Sequence, residues 1–402
     1  MESHNVLIIG SGGRENAIAW KINQSRFCQK LFIAPGNAGT SFLGENIEIS
    51  ISDFVGIRDL IISNKISIVV VGPEDPLVNG LHDFLSNEIK NDNFMVIGPK
   101  KNGAILEGSK EFAKEFMFRH KIPTARYRTF NKKNIHDASS FLDSLNPPYV
   151  LKADGLAAGK GVLILTDLNE AKKSLENMIV KKKFGIASEK VVIEEYLKGV
   201  ELSTFVLTDG NSYKIFPMAK DYKRIGVGDT GLNTGGMGAV SPVPFVDNLL
   251  YQKIENQVIR PTINGLKKDK IDYTGFLFIG LMIVKNEPFV IEYNVRLGDP
   301  ETEAILPRIE SDLLEIFIKL KNSQLQTSNL KVSNLFSSTV MTVSKGYPGK
   351  YEKGKVISGL DSKNDSLLFH SGTKIENQNI ITSGGRVIAV TSMDKLLSKA
   401  LE

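Results

Sequence analysis

The chain has 402 residues, 42% of them hydrophobic, more than a single core can use, which predicts about two to four domains. Its 50 basic and 45 acidic residues leave a formal charge of +5 with no block of like charge, so nucleic acid is not expected as a partner, while small phosphorylated anions suit the balance. The single cysteine, Cys28, excludes an internal disulfide or a cysteine-rich metal site and reads as a small buried side chain.

At the start, Met1-Glu2-Ser3-His4 runs straight into the strand-like Asn5-Val6-Leu7-Ile8-Ile9, without the basic and apolar regions of a signal peptide. No apolar stretch reaches the roughly 20 residues of a membrane span. A cytoplasmic protein with no membrane partner is expected. Apolar runs at 6–9, 31–33, 66–71 and 94–97 alternate with helical patterns and predict a Rossmann-like parallel α/β sheet. Each run ends in a turn: Gly10-Ser11-Gly12-Gly13, Pro35-Gly36-Asn37-Ala38-Gly39, Gly72-Pro73-Glu74 and Gly98-Pro99. Such turns lie at the carboxyl ends of the strands and should converge on one ligand crevice. Gly10-Ser11-Gly12-Gly13-Arg14-Glu15 opens a helix and suits an anion; the alternative is a tight turn needed only for packing. A nicotinamide dehydrogenase is disfavoured, because Glu15 stands at the third glycine position of the dinucleotide fingerprint and Ala34-Pro35-Gly36 replaces its ribose-binding acid.

A helix is predicted from near Ser109 to before Pro123, with Phe112, Ala113, Phe116 and Met117 on its apolar face. From about 124 to 196 the chain reads as a small α+β unit. Its Lys152-Ala153-Asp154-Gly155-Leu156-Ala157-Ala158-Gly159-Lys160-Gly161 joins strand to strand and lacks the Ser/Thr of a P-loop. It can fold over ATP phosphates through Gly159, Lys160 and Gly161 with Lys152 reaching in, or be a plain hairpin. Next, Val191-Val192-Ile193-Glu194-Glu195-Tyr196-Leu197 runs a strand into two carboxylates: a hinge able to offer Glu194 to an adenine edge and Glu201 to ribose hydroxyls, or else a solvated acidic pair.

A larger α+β unit follows to about 325. Within it, the basic Lys220-Asp221-Tyr222-Lys223-Arg224 and the glycine run 231–238 read as a loop and a mobile lid. The strand 289–293 closes the unit and continues into the strongest signal. Glu292 and Asn294, two apart in a strand, share a face and can bind one hard cation, with Arg296 following on that face to stabilise charge on a transferring phosphoryl group. The polar stretch 322–334 resembles a linker, and strands with Gly/Pro turns lie beyond it. His4, His82, His120, His136 and His370 are expected to be surface or packing residues.

In sequence order these motifs resemble the phosphoribosylamine–glycine ligase family, also called glycinamide ribonucleotide synthetase. The matching pieces are 10–15, 34–40, Val71-Gly72-Pro73-Glu74, Leu106-Glu107-Gly108-Ser109-Lys110, 152–162, 229–238 and 292–301. The resemblance implies an N-terminal Rossmann-like substrate domain (1–104), an ATP-grasp domain (105–330, with 124–196 as its mobile subdomain) and a small β-rich C-terminal domain (331–402). It implies ATP as co-substrate, contacted by Lys110, Lys152, Gly159, Lys160, Gly161, Glu194, Glu195, Tyr196, Leu197, Glu201, Arg224 and Asn233. Mg2+ or Mn2+ would sit on Glu292 and Asn294. Glycine and 5-phosphoribosylamine would lie among Gly12, Gly13, Arg14, Glu15, Asn37, Gly39, Glu74, Arg296, Asp299, Pro300 and Glu301, with Arg296 and Lys152 catalytic. The implied reaction runs through glycyl phosphate, in a monomer whose partners are these small molecules. Asn16 and Tyr222 stand where the family usually shows histidine, the strand 277–282 carries no metal carboxylate, and relatives continue past Leu401-Glu402, so a shortened C-terminal domain is expected. The rival readings are another ATP-grasp ligase of the carboxylase type and a non-catalytic nucleotide-binding regulator.

Overall fold

A computed structural model describes residues 3–157, 161–360 and 365–402. Gly159 and Lys160, expected over the nucleotide, lie outside them.

The N-terminal run forms β1 (His4–Gly10), β2 (Cys28–Pro35), β3 (Glu45–Asn46), β4 (Ile66–Val71) and β5 (Met95–Ile97), all parallel in the order β3-β2-β1-β4-β5. The strands are apolar on both faces because both are covered. Leu7, Ile9, Val69 and Val71 enter one hydrophobic cluster, whereas Val6, Ile8, Ile68 and Val70 enter another, following the period of two. The helices are α1 (Gly13–Ile22), α2 (Phe54–Ser63), α3 (Glu74–Val78), α4 (Leu81–Glu88), α5 (Lys101–Gly108) and α6 (Lys110–Arg119). Ser109 caps α6, its hydroxyl accepting from Phe112 N at 3.1 Å, and Ala113, Phe116 and Met117 are buried beneath the helix. Cys28 is half-buried rather than buried, because β2 starts at the surface with two exposed neighbours.

β6 (Tyr127–Asn131), β7 (Tyr149–Ala153), β8 (Val162–Leu165) and β9 (Lys190–Glu195) make a separate antiparallel sheet, β6-β9-β7-β8, backed by α7 (Ala138–Asp143) and α8 (Leu168–Ile179). Phe130, Leu142, Leu151, Leu175, Met178 and Ile193 give this unit its own core. Next come β10 (Val200–Thr208), β11 (Tyr213–Ile215), β12 (Lys220–Gly226) and β13 (Thr230–Ser241), followed by β14 (Gly275–Val284) and β15 (Glu287–Asn294). Of these, β11-β10-β14-β15 form an antiparallel sheet.

The segment expected as a lid loop is instead the hairpin of β12 and β13. It joins β16 (Phe336–Val343), β17 (Leu367–His370) and β20 (Arg386–Asp394) in the sheet β12-β13-β16-β20-β17, with β18 (Thr373–Glu376) and β19 (Asn379–Thr382) paired alongside. Its glycines suggested a loop, but here they permit close strands: a Cβ on Gly238 would come 2.5 Å from the Thr339 carbonyl oxygen. The stretch expected as a linker is likewise pinned. Leu325 and Ser328 are buried, and Ile309 bridges Val332. No helix of the described residues is long and apolar enough to cross a membrane.

Candidate active site

At the carboxyl end of β1 the chain turns through Gly10 to Gly13 into α1, beside β4, where the strand order reverses. Glu15 fills this place. Its carboxylate accepts from Gly12 N at 2.6 Å and from Arg14 Nε at 2.6 Å. Arg14 also donates to the Leu297 carbonyl at 3.1 Å, and burial, which works against its charge, is outweighed by Glu15, Asp299 and Glu74. Glu15 thus braces the turn internally. Asn37, expected near substrate, holds the next turn: Nδ2 donates to the carbonyls of Ser11 (2.9 Å) and His370 (2.7 Å), while Oδ1 accepts from Gly39 N (2.8 Å) and Thr40 N (3.0 Å). Asn16 accepts from His370 N at 2.7 Å, so where the family usually has histidine this chain has an amide tying α1 to β17. A Cβ on Gly39 would strike the His370 ring at 2.7 Å. His370 packs there.

On β15, Tyr293 turns inward to the core while Glu292 and Asn294 lie on the other face. Glu292 is exposed, and Gly280 sits opposite it on β14, where a side chain would crowd the Glu292 Cγ at 3.2 Å. Desolvation by the surrounding protein works to raise its pKa, but the ammonium groups of Lys223, Lys152 and Lys110 hold it below the usual carboxylate range. Asn294 is buried, with its Nδ2 unpartnered among the described residues. An ionised, solvent-facing carboxylate beside an amide fits a hard cation that takes one or two protein oxygens and fills the rest of its shell from phosphate. Among the described residues no cluster of three or more His, Cys, Asp or Glu is built to hold a metal by itself.

Arg296 is fixed from three sides. Nη2 contacts Glu107 Oε1 at 2.8 Å and Asn294 Oδ1 at 3.3 Å, and Nε contacts Glu74 Oε2 at 3.2 Å. Glu107, at the end of α5, also accepts from Val295 N at 2.7 Å. Burial pushes the Glu107 pKa up to about 7 against the pull of Arg296, whereas Glu74, under the same desolvation, is held low by Arg296 and Arg14. The role of Glu107 was not read from the sequence. It sits in a quoted motif, but its partner is 189 residues away.

The Lys152 ammonium lies 3.0 Å from Glu194 Oε1 and donates to the Ile291 carbonyl at 3.3 Å. Lys114, which sequence reasoning passed over, is 3.1 Å from Glu194 Oε2. Glu194, expected at an adenine edge, therefore turns its carboxylate inward between two lysines, 3% exposed. Glu195 accepts from Arg126 N at 2.7 Å, Tyr196 is exposed and Leu197 is half-buried. Lys110, at the start of α6, donates to the Gly155 carbonyl at 3.2 Å, and burial lowers its pKa, with Lys152 adding to the effect and Glu292 opposing it. Lys223 contacts Glu201 and lies 3.2 Å from Asp221. Arg224 and Asn233 pair across the hairpin, Arg224 Nη1 donating to the Gly231 carbonyl at 2.9 Å, and both are exposed. Gly161 lies just before β8, its carbonyl accepting from Ala153 N at 2.8 Å.

The loop after β15 leads into α9 (Glu301–Ile305) and is clamped by the far end of the chain. Arg386 Nη1 lies 2.9 Å from Asp299 Oδ1 and donates to the Gly235 carbonyl at 2.8 Å. Gly236 can approach Pro300 only because it lacks a Cβ, which would fall 2.3 Å from the proline Cδ. Glu301 accepts from Ser203 Oγ at 3.0 Å, and burial, with Asp221 nearby, pushes its pKa up to about 7. Glu303 is fully buried beside Gly13, with neither oxygen hydrogen-bonded among the described residues and its pKa raised by burial and by Asp299.

The phosphoribosylglycinamide synthetase family matches this chain in three blocks: its N domain over 4–107, its ATP-grasp domain over 108–302 and its C domain over 337–402. A phosphoribosylamine–glycine ligase of Chlorobaculum tepidum is 44% identical over 404 residues, covering 99% of this chain and 94% of that protein. One from Fusobacterium nucleatum is 42% identical over 403 residues, covering 99% and 93%. The crystal structure of phosphoribosylamine–glycine ligase from Thermotoga maritima superimposes with a TM-score of 0.85 at 34% identity, over 98% of this chain and 94% of that one.

Proposed function

The chain belongs to the phosphoribosylamine–glycine ligase family, ATP-dependent ligases of purine biosynthesis, and from that premise we propose that it joins glycine to 5-phosphoribosylamine through a glycyl phosphate, in the cytoplasm, where β15 faces the N-terminal turns. A glycine carboxylate oxygen attacks the γ-phosphorus of ATP, forming a C–O–P linkage and releasing ADP. The ribosylamine nitrogen then attacks the acyl carbon, forming the amide, expelling phosphate and giving up a proton to solvent. No protein nucleophile takes part, so catalysis rests on positioning and charge stabilisation.

The observation that carries this reading is the convergence of the Lys110, Lys152 and Lys223 charges on Glu292, with Asn294 ending the same strand and Arg296 in the bend just past it rather than on the strand face. Lys110 and Lys152 neutralise the triphosphate, and Gly161 lets the hairpin approach it. Glu194 to Leu197 and Glu201 flank the nucleoside, and Arg224 and Asn233 reach toward the phosphates from the hairpin. Glu292 and Asn294 would hold magnesium or manganese, which when bound supplies positive charge against the phosphate oxygens. Arg296, braced by Glu107 and Glu74, meets the charge that develops during transfer and orients the glycine carboxylate. Asp299, Pro300 and Glu301 shape the glycine pocket, and Gly12, Gly13, Arg14, Glu15, Asn37, Gly39 and Glu74 shape that of the ribosylamine.

Two measurements test the scheme. With glycine labelled by 18O in its carboxylate, one label should appear in the released inorganic phosphate; unlabelled phosphate would remove the acyl phosphate. Phosphate release should require both glycine and phosphoribosylamine, and Glu292→Ala should abolish metal-dependent turnover with unchanged circular dichroism. Wild-type turnover in that variant would remove the assigned metal site.

A further inference from the structure

The Lys114–Glu194–Lys152 triad presents two ammonium groups to one carboxylate, at 3.1 and 3.0 Å, with all three side chains almost wholly buried. A buried ion cluster is weak evidence for stability, since apolar residues of similar volume often hold a fold as well or better. The charge count points elsewhere: two cations against one anion leave a surplus of one positive charge. Lys152 alone on Glu194 would form a neutral pair.

Lys114 is placed to prevent that. It lies one turn after Lys110 on the same face of α6. Its ammonium donates to Thr124 Oγ1 at 2.7 Å, and that hydroxyl donates to the Val290 carbonyl at 2.7 Å. Lys152 donates to the adjacent Ile291 carbonyl. Both lysines are thus tethered to β15 three and four residues before Asn294, while Glu194 belongs to β9 of the small sheet. Lys114 is 2% exposed and roofed by the Tyr127 ring at 5.5 Å, so no ligand reaches it.

We propose that Lys114 is a positioning residue for the nucleotide: by taking one oxygen of Glu194 it keeps Lys152 from being fully neutralised, so that Lys152 meets the triphosphate with net positive charge. This rests on the nucleotide reading of the Lys110–Lys152 site above. The signal was in the sequence, as a lysine spaced four from Lys110, but its carboxylate partner could not be read locally.

The test is equilibrium binding of ATP and ADP to the full chain by calorimetry, alongside steady-state turnover, for Lys114→Met, Lys114→Arg and the cycle of Lys114→Met with Glu194→Gln. Lys114→Met should weaken nucleotide binding about tenfold, equivalent to about 1.4 kcal/mol, and leave kcat within about twofold. Lys114→Arg should restore most of the affinity. The effects of Lys114→Met and Glu194→Gln should be strongly non-additive. Should the methionine variant fail to fold, Lys114→Gln, which keeps a donor without the charge, carries the same expectation. Unchanged affinity in a folded Lys114→Met or Lys114→Gln variant, a loss confined to kcat, or additive effects in the cycle would each overturn the inference. A wild-type chain that binds no ATP would instead strike the proposed function.

Discussion

Replacing Gly72 by alanine tests whether Glu15 is the keystone of the N-terminal crevice. Gly72 follows β4, its N–H donating to the Ile9 carbonyl at 2.9 Å, and it is not among the glycines with positive φ, so the whole cost of a methyl group is steric. That methyl would lie 2.0 Å from Glu15 Oε1 and 2.6 Å from its Cδ. Glu15 cannot swing aside freely, because Gly10 hems its other flank and its oxygens hold Gly12 N and Arg14 Nε. Overpacking costs about 1–3 kcal/mol and weakening a charge-assisted hydrogen bond about 1.5–3, so Gly72→Ala should lose about 3–5 kcal/mol in denaturant unfolding. Released from Glu15, Arg14 should drift, raising KM for phosphoribosylamine and leaving ATP affinity intact. In a Glu15→Ala background the same alanine should cost less than about 1 kcal/mol, since the atoms it strikes are gone. Equal costs in the two backgrounds would refute the clamp.

Arg296→Met strands Glu107 and Glu74 without their shared cation; turnover should fall at least about a hundredfold and stability by about 3 kcal/mol. Turnover within tenfold of wild type, read by phosphate release, would detach Arg296 from the chemistry. Glu301, raised from an ordinary 4.5 to about 7, is more readily protonated in the folded chain, so its contribution to stability is full below pH 4.5 and is lost as pH rises to 7. Glu301→Gln keeps an acceptor for Ser203 and should remove a loss of about 2 kcal/mol between pH 5 and pH 7.5, visible as a flatter unfolding curve against pH than wild type. Parallel curves would count against it.

What the sequence made legible was local. The Gly10–Gly13 turn, the Ser109 cap and the shared face of Glu292 and Asn294 follow from neighbours a few residues apart, where backbone period and side-chain chemistry settle the geometry. The rest depends on distant pairings. Arg386 reaches Asp299 across 87 residues and Glu107 reaches Arg296 across 189, and nothing in either neighbourhood announces the other. The hairpin of β12 and β13 was obscured for the same reason. Its glycines look like a loop until β16, almost a hundred positions later, pairs with the strand from Gly238 to Ser241. Glu194 shows the opposite limit: its place at a hinge was readable, but the inward turn of its carboxylate was set by two lysines from other elements.

The pairing of β13 with β16 bears on how this gene can be cut. Expressing residues before and after about 330 as separate polypeptides would leave β13 with a bare row of amides and carbonyls, and would deprive β16 and β20 of the neighbour that completes their layer. The first fragment is expected to precipitate or to recruit foreign strands at that edge, and co-expression of the second to keep it in solution. For this chain the natural unit of engineering, permutation or fusion is a contiguous stretch that carries the hairpin together with the strands that receive it.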